Sequence, residues 1–165
     1  MKMKTLHDLY IHELKDLYSA EKQLLKALPK MAKAATNDQL REALESHLEE
    51  TETQAERLEK LLKELDTTTR GPKCAAMEGL VEEGKHALEE EMTDDVRDVA
   101  IICACQRVEH YEIAGYGCAR TFARMLGFDD AADLLQQTLD EEKAADEKLT
   151  EIAMETVNAE AVTAE

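Results

Sequence analysis

The chain has 165 residues, enough for one domain with a continuous core that needs neither a structural metal nor disulfides to fold. Its formal net charge of −17 argues against nucleic acid and anionic membranes as partners, because both call for a basic footprint. With 35% charged residues, 4% aromatics, 2 prolines and 6 glycines, the composition favours long amphipathic helices and leaves little for a sheet core or for stacking bases.

The first residues, MKMKTLHDLY, lead straight into a charged amphipathic pattern without the apolar segment of a signal peptide, which predicts a cytoplasmic protein. Thr5 is placed to cap a first long helix, with Asp8 near its third position, and the helix should run to about Ala35. Leu14, Leu17, Leu24, Leu28 and Met31 form its stripe, and Glu21 occupies the place in that series where a leucine is expected. Pro29 lies inside the pattern and should bend the last turns. A polar turn at 36–38 precedes a second helix to about Leu65. Its stripe of Leu40, Leu44, Leu58, Leu61 and Leu65 is interrupted midway by His47, Thr51 and Gln54, with Glu50 beside the gap.

The segment 66–73 (DTTTRGPK) breaks the helical pattern, and 74–91 carries a weaker one through Met77, Leu80, Val81 and Leu88. It reads as a long crossover with a short helix. Thr93 and Asp94 open a third long helix that Gly127 ends. Its stretch 106–117 (QRVEHYEIAGYG) places Glu109 and Glu112 one turn apart on a face shared with Val99, Ile102, Cys103, Gln106, Ile113 and Tyr116. His110 and Tyr111 stand next to this seam but turned off it. Asp129 is expected to cap a fourth long helix bearing Ala131, Leu135, Thr138, Leu149 and Ile152, with Glu142 at its centre. The domain should span 1–157, and residues 158–165 read as a frayed acidic tail. The uncharged run 99–105 is too short to cross a bilayer, and Cys74, Cys103, Cys105 and Cys118, lacking C-x-x-C spacing, should be reduced and packed.

Shifting the first half by 91 positions places Glu21 on Glu112, Asp38 on Asp129, Leu44 on Leu135, Leu48 on Leu139, Glu50 on Glu141 and Leu58 on Leu149. The match suggests one helical hairpin used twice, although two amphipathic hairpins of equal length also align through composition alone.

Four helices whose apolar stripes are each interrupted near the middle fit the di-metal carboxylate design, in which acids from all four converge on the bundle core. The candidate ligands are Glu21, His47, Glu50, Glu109, Glu112 and Glu142. Oxygen-rich ligation with little nitrogen suits two ions of iron or manganese. Taken singly, the residues have plainer readings. Glu21 reads as a seam glutamate with its head in solvent, His47 as a hydrogen-bonded core histidine, and Glu142 as part of the solvated run 140–142. Glu141, Asp146 and His110 stand close enough to the same level to compete.

The segments DLYSAEKQLLKALPKM, HLEETETQAERLEKL, KCAAMEGLVEE, QRVEHYEIAGYG and LLQQTLDEEKAADEKL together resemble the YciE/YciF-like family of bacterial stress-associated proteins, a ferritin-like branch related to rubrerythrin. The resemblance covers nearly the whole chain. It implies a ferritin-like four-helix bundle, often dimeric, with a di-iron-type centre and a link to osmotic or oxidative stress. By this likeness Glu21 takes the first-helix ligand position, Glu109 and Glu112 the E-x-x-E of the third helix, and Glu142 the fourth-helix position. The chain departs from the pattern where a histidine usually follows the second- and fourth-helix carboxylates by three residues: Thr53 follows Glu50 and Ala145 follows Glu142, while His47 precedes Glu50. The paired-cysteine electron-transfer domain of rubrerythrin is also missing. Two functions are therefore expected to compete, a di-metal protein handling iron, dioxygen or peroxide, and a non-enzymatic dimeric helical protein with a degenerate site.

Overall fold

A computed structural model describes residues 3–163; residues 1–2 of the expected domain and 164–165 of the expected tail lie outside the described residues. The chain is all-α, with no strand among the described residues. Four long helices, α1 (Leu6–Ala34), α2 (Asp38–Glu64), α4 (Asp94–Met125) and α5 (Asp129–Ile152), form the bundle, and α3 (Ala75–Glu89) lies within the crossover between α2 and α4. The chain continues into a π-helical turn (Ala153–Val157) and a short α6 (Asn158–Thr163).

Local chemistry sets the helix ends. Thr5 closes a reciprocal capping box with Asp8, satisfying amide groups that the first turn leaves free. Asn37, Cys74 and Thr93 cap α2, α3 and α4 through their side chains. Phe128, not Asp129, occupies the cap position of α5 and makes no side-chain cap bond, so Asp129 serves as the acidic first residue, favourable to the helix dipole. Gly127 ends α4 at φ 77°, a conformation that glycine adopts without steric cost. Asp66 stops α2 in the same way at φ 52°, at the end expected near Leu65. Helix α1 runs unbroken through Pro29, which is exposed.

The long helices pack as a ring in the order α1, α2, α5, α4, and α3 lies against α1 and α4. Their inward stripes make two apolar regions. One contains Tyr10, Leu14, Leu17, Leu58, Leu62, Tyr116 and Leu135; the other contains Leu24, Leu28, Leu40, Leu44, Ile101, Ile102 and Leu149. The levels between them along α2, α4 and α5 are occupied by buried polar groups, including His47, Thr51, Gln54, Glu109, Glu112 and Glu142, with Glu21 on α1. A polar layer thus divides the core.

One polar lock lies outside this layer. Asp98 of α4, 2% exposed, accepts from the Thr36 amide (2.9 Å), the Thr36 hydroxyl (2.7 Å) and the Asn37 amide (2.7 Å), fastening the α1–α2 turn to α4. The expected tail contains ordered helix, α6, which packs against α4, and just before it Val157 is buried and the Thr156 hydroxyl accepts from the Asn37 side-chain amide at 3.4 Å. Cys74 and Cys105 are packed thiols as expected, but Cys103 and Cys118 are exposed. The buried face of α4 runs through Asp98, Ile101, Ile102, Cys105, Glu109 and Glu112, leaving Cys103 outside the seam.

Candidate metal centre

His47 from α2, Glu109 and Glu112 from α4, and Glu142 from α5 each offer a ligand atom within 4.8 Å of one another, and all four are buried. The spacing of Glu109 and Glu112 accounts for their shared face, since residues three apart on a helix stand one above the other. Glu21 of α1 is also completely buried and receives a short hydrogen bond from the Tyr116 hydroxyl. Glu50 is different. Its side chain is 44% exposed, and its carboxylate lies 3.6 Å from His47 Nδ1, so it stands at the rim. The other imidazole nitrogen lies 3.3 Å from Glu109 Oε1.

The layer is short of hydrogen-bond partners. No N–H or O–H donor of another residue type reaches either oxygen of Glu112, either of Glu142, or one each of Glu21 and Glu109, and neither nitrogen of His47 makes a hydrogen bond; Glu21 meets Glu112, and Glu109 meets Glu142, only as carboxyl pairs that need a proton between them. Buried polar groups in folded proteins are nearly always paired, so this concentration of unsatisfied acceptors is a strong chemical signal. Burial raises every carboxyl of the set: Glu21 is pushed up to about 7, Glu109 is raised, and Glu112 and Glu142 lie well above the usual carboxylate range, their neighbours' charges adding to the effect. Burial alone would lower His47, but the carboxylates of Glu109, Glu50 and Glu21 outweigh it and carry the imidazole up to about 9.

Groups that competed at this level in the sequence are engaged elsewhere. Glu141 is held bidentately by Arg57 at 2.6 and 2.9 Å and accepts from Gln54 at 3.2 Å. Asp146 lies 3.2 Å from His110, which is exposed, and accepts from Gln106 at 3.2 Å. Thr51 bonds back to the His47 carbonyl at 2.9 Å. Under the 91-residue shift, Thr138 corresponds to His47 and Thr51 to Glu142, so the two hairpins contribute different donors at different levels. Tyr116, which the sequence places on the Glu109–Glu112 face, reaches the layer through Glu21, and its position four residues after Glu112 was the available clue.

A cleft of about 550 Å³ between α2 and α5 reaches His47 and Glu109 from the surface, with Glu42, Glu50 and Glu141 along its wall. No helix among the described residues is long and apolar enough to cross a membrane.

Residues 5–162 match a family described as a domain of unknown function, DUF892. The sequence is 50% identical over 162 residues to Protein YciF of Escherichia coli strain K12, covering 98% of each chain. The crystal structure of the E. coli stress protein YciF matches with a TM-score of 0.90 at 50% identity, over 94% of this chain and 99% of that one. YcfI from Rhodopseudomonas palustris, described as a candidate structural protein, matches at 0.87 with 46% identity, over 90% of this chain and 95% of that one. A protein from Xanthomonas campestris pv. campestris shares the fold at a TM-score of 0.75 and 21% identity, over 94% of this chain and 95% of that one. On the family match and its identity with YciF, the chain belongs to the DUF892 family of YciF-like proteins.

Proposed function

We propose that this chain is a cytoplasmic bacterial stress protein, homodimeric, whose bundle core binds two iron or manganese ions and handles iron, dioxygen or peroxide. The observation that carries the reading is the set of unpartnered carboxylate oxygens around His47. A divalent cation supplies what each of these acceptors lacks. Four buried carboxylates, Glu21, Glu109, Glu112 and Glu142, carry the charge that two such cations neutralise, with the imidazole neutral. One nitrogen among oxygen donors suits iron or manganese better than zinc or copper. Glu21, His47, Glu109, Glu112 and Glu142 would hold the pair, and Glu50 would approach from the rim.

When bound, iron or manganese supplies one-electron chemistry toward dioxygen or peroxide. The chain's own residues prepare that setting. Tyr116 fixes Glu21 by donating to its carboxylate, while Arg57 holds Glu141 away from the layer. The two apolar regions restrict water, and the acidic cleft wall attracts cations toward His47. The stress association of YciF supports extending that role here.

Metal analysis of protein purified without supplementation, combined with melting curves in added Mn²⁺ or anaerobic Fe²⁺, tests the proposal. Bound metal and a raised melting temperature are expected. Protein that takes up neither ion and melts unchanged would refute it.

A non-enzymatic structural role is the second reading, favoured by the outward position of Glu50 and by the description of the R. palustris relative. In that case the buried acids share protons and set helix register. The substitution Glu109→Gln with Glu112→Gln would then alter stability or association while leaving no metal uptake to lose. A folded, dimeric double variant that has lost bound metal would rule this role out.

A further inference from the structure

We propose that a groove between α1 and α3 binds a small amphipathic anion of the medium-chain monocarboxylate class. The site is separate from the acid layer and independent of its metal chemistry. Residues 22–37 carry Lys22, Lys26, Lys30 and Lys33 with no acid among them, in a chain whose net charge is −17. This is a local reversal of sign, and among the described residues none of these four lysines is within ion-pair distance of a carboxylate.

The basic segment borders a cavity of about 250 Å³. Lys26 and Lys30 stand on the α1 side, with Lys73 and Lys85 across from them on the crossover. The latter two are engaged by acids of the crossover itself, Lys73 by Glu78 at 2.5 Å and Lys85 by Glu82 at 3.4 Å. The free cationic heads are therefore those of Lys26 and Lys30. Between the lysines, Ala27, Met31, Val81 and Leu88 make an apolar lining.

The groove follows from how the crossover helix packs. Only Met77 and Gly84 of α3 are fully buried, while Val81 and Leu88 remain half-buried. Gly84 permits close approach at one level, since a Cβ there would stand 2.5 Å from Met31 Cε. Beyond that contact the seam with α1 stays open. An aliphatic chain laid along it would remove apolar surface from water, with a carboxylate head placed among the lysines. The lining has no aromatic group for a base or sugar to stack on, and Gln23 is its one uncharged polar side chain, a poor match to a nucleotide. The overall negative charge opposes an anionic bilayer surface, so the occupant is a free amphiphile.

Methionine-methyl NMR on the intact protein tests the assignment, with octanoate, octanol and acetate as probes. Octanoate should shift the Met31 signal saturably while leaving the exposed Met125 and Met154 signals in place. Octanol, which lacks the charge, should bind about five-fold more weakly, and acetate, which lacks the chain, at least about ten-fold more weakly. The exposed pair Lys26→Gln with Lys30→Gln should weaken octanoate about five-fold, the scale of two solvent-screened charge contacts, and leave octanol unchanged. The proposal is overturned by the absence of a saturable Met31 shift, by octanol matching octanoate, or by full octanoate affinity in the double variant. The Glu109→Gln variant separates this site from the metal layer: retained octanoate binding is expected, and its loss would place the anion on bound metal instead.

Discussion

Replacing Glu112 with methionine should stabilise the metal-free protein while abolishing its response to metal. Glu112 is completely buried, its one side-chain partner is another acid, Glu21, and Glu21 and Glu109 add like charge beside it. Methionine keeps the unbranched shape and removes a polar head whose burial without a donor costs about 1–3 kcal/mol. A gain of about 2 kcal/mol corresponds to roughly 4–8 °C in melting temperature for a chain of this length. The wild type should gain about 2.7 kcal/mol when Mn²⁺ is present at a hundred times its dissociation constant. The assay is a pair of thermal melts for each protein, one after chelation and one with Mn²⁺. Glu112→Met should start higher and move little. A variant that melts several degrees lower after chelation would show that Glu112 stabilises the fold as an ordinary core group. A variant that retains the full Mn²⁺ shift would show that Glu112 is not a ligand. Either result refutes the reasoning.

Asp98→Ala should cost about 3 kcal/mol in urea unfolding, because it strands the Thr36 and Asn37 donors that converge on a buried carboxylate. Chelated wild-type protein should lose stability as pH rises. Glu21 holds its proton more tightly folded than unfolded, so its contribution is complete below about 4.5 and is lost as pH passes about 7, a change of about 3 kcal/mol. His47 acts in the same direction between its ordinary value and about 9. Melts across pH 5–9 measure this slope, and Glu21→Gln should flatten its lower part. Added metal should reverse the trend, since ligation requires deprotonated donors. Tyr116→Phe, by removing the donor to Glu21, should cost about 1 kcal/mol in wild type and much less in a Glu21→Leu background, which has no acceptor left, as a double-mutant cycle would report.

Much of the fold and the level of the buried acids were legible because helical periodicity reports which face a residue occupies. Glu21, Glu109, Glu112 and Glu142 each fall within an apolar stripe, and each is buried. The capping residues Thr5 and Thr93, the terminating Gly127, and the short helix of the crossover follow from local stereochemistry that needs no tertiary contact. Periodicity alone does not distinguish full burial from the rim. Cys103 was assigned to the α4 seam but is exposed, and Glu50, one turn from His47, leaves 44% of its side chain in solvent.

The sequence by itself determined an acidic four-helix chain with a short crossover helix and carboxylates at the middle of its apolar stripes. Tertiary structure decided which groups meet. His47, Glu109, Glu112 and Glu142 come within 4.8 Å of one another, while Arg57 takes Glu141 and His110 lies by Asp146. It also decided that Tyr116 serves Glu21, that Asp98 holds the α1–α2 turn, and that the last residues described form a π-turn followed by helix. Partners of this kind are separated by tens of residues along the chain. Their pairing depends on how helices approach and which rotamers that approach allows, whereas stripes and caps depend on a few neighbouring residues.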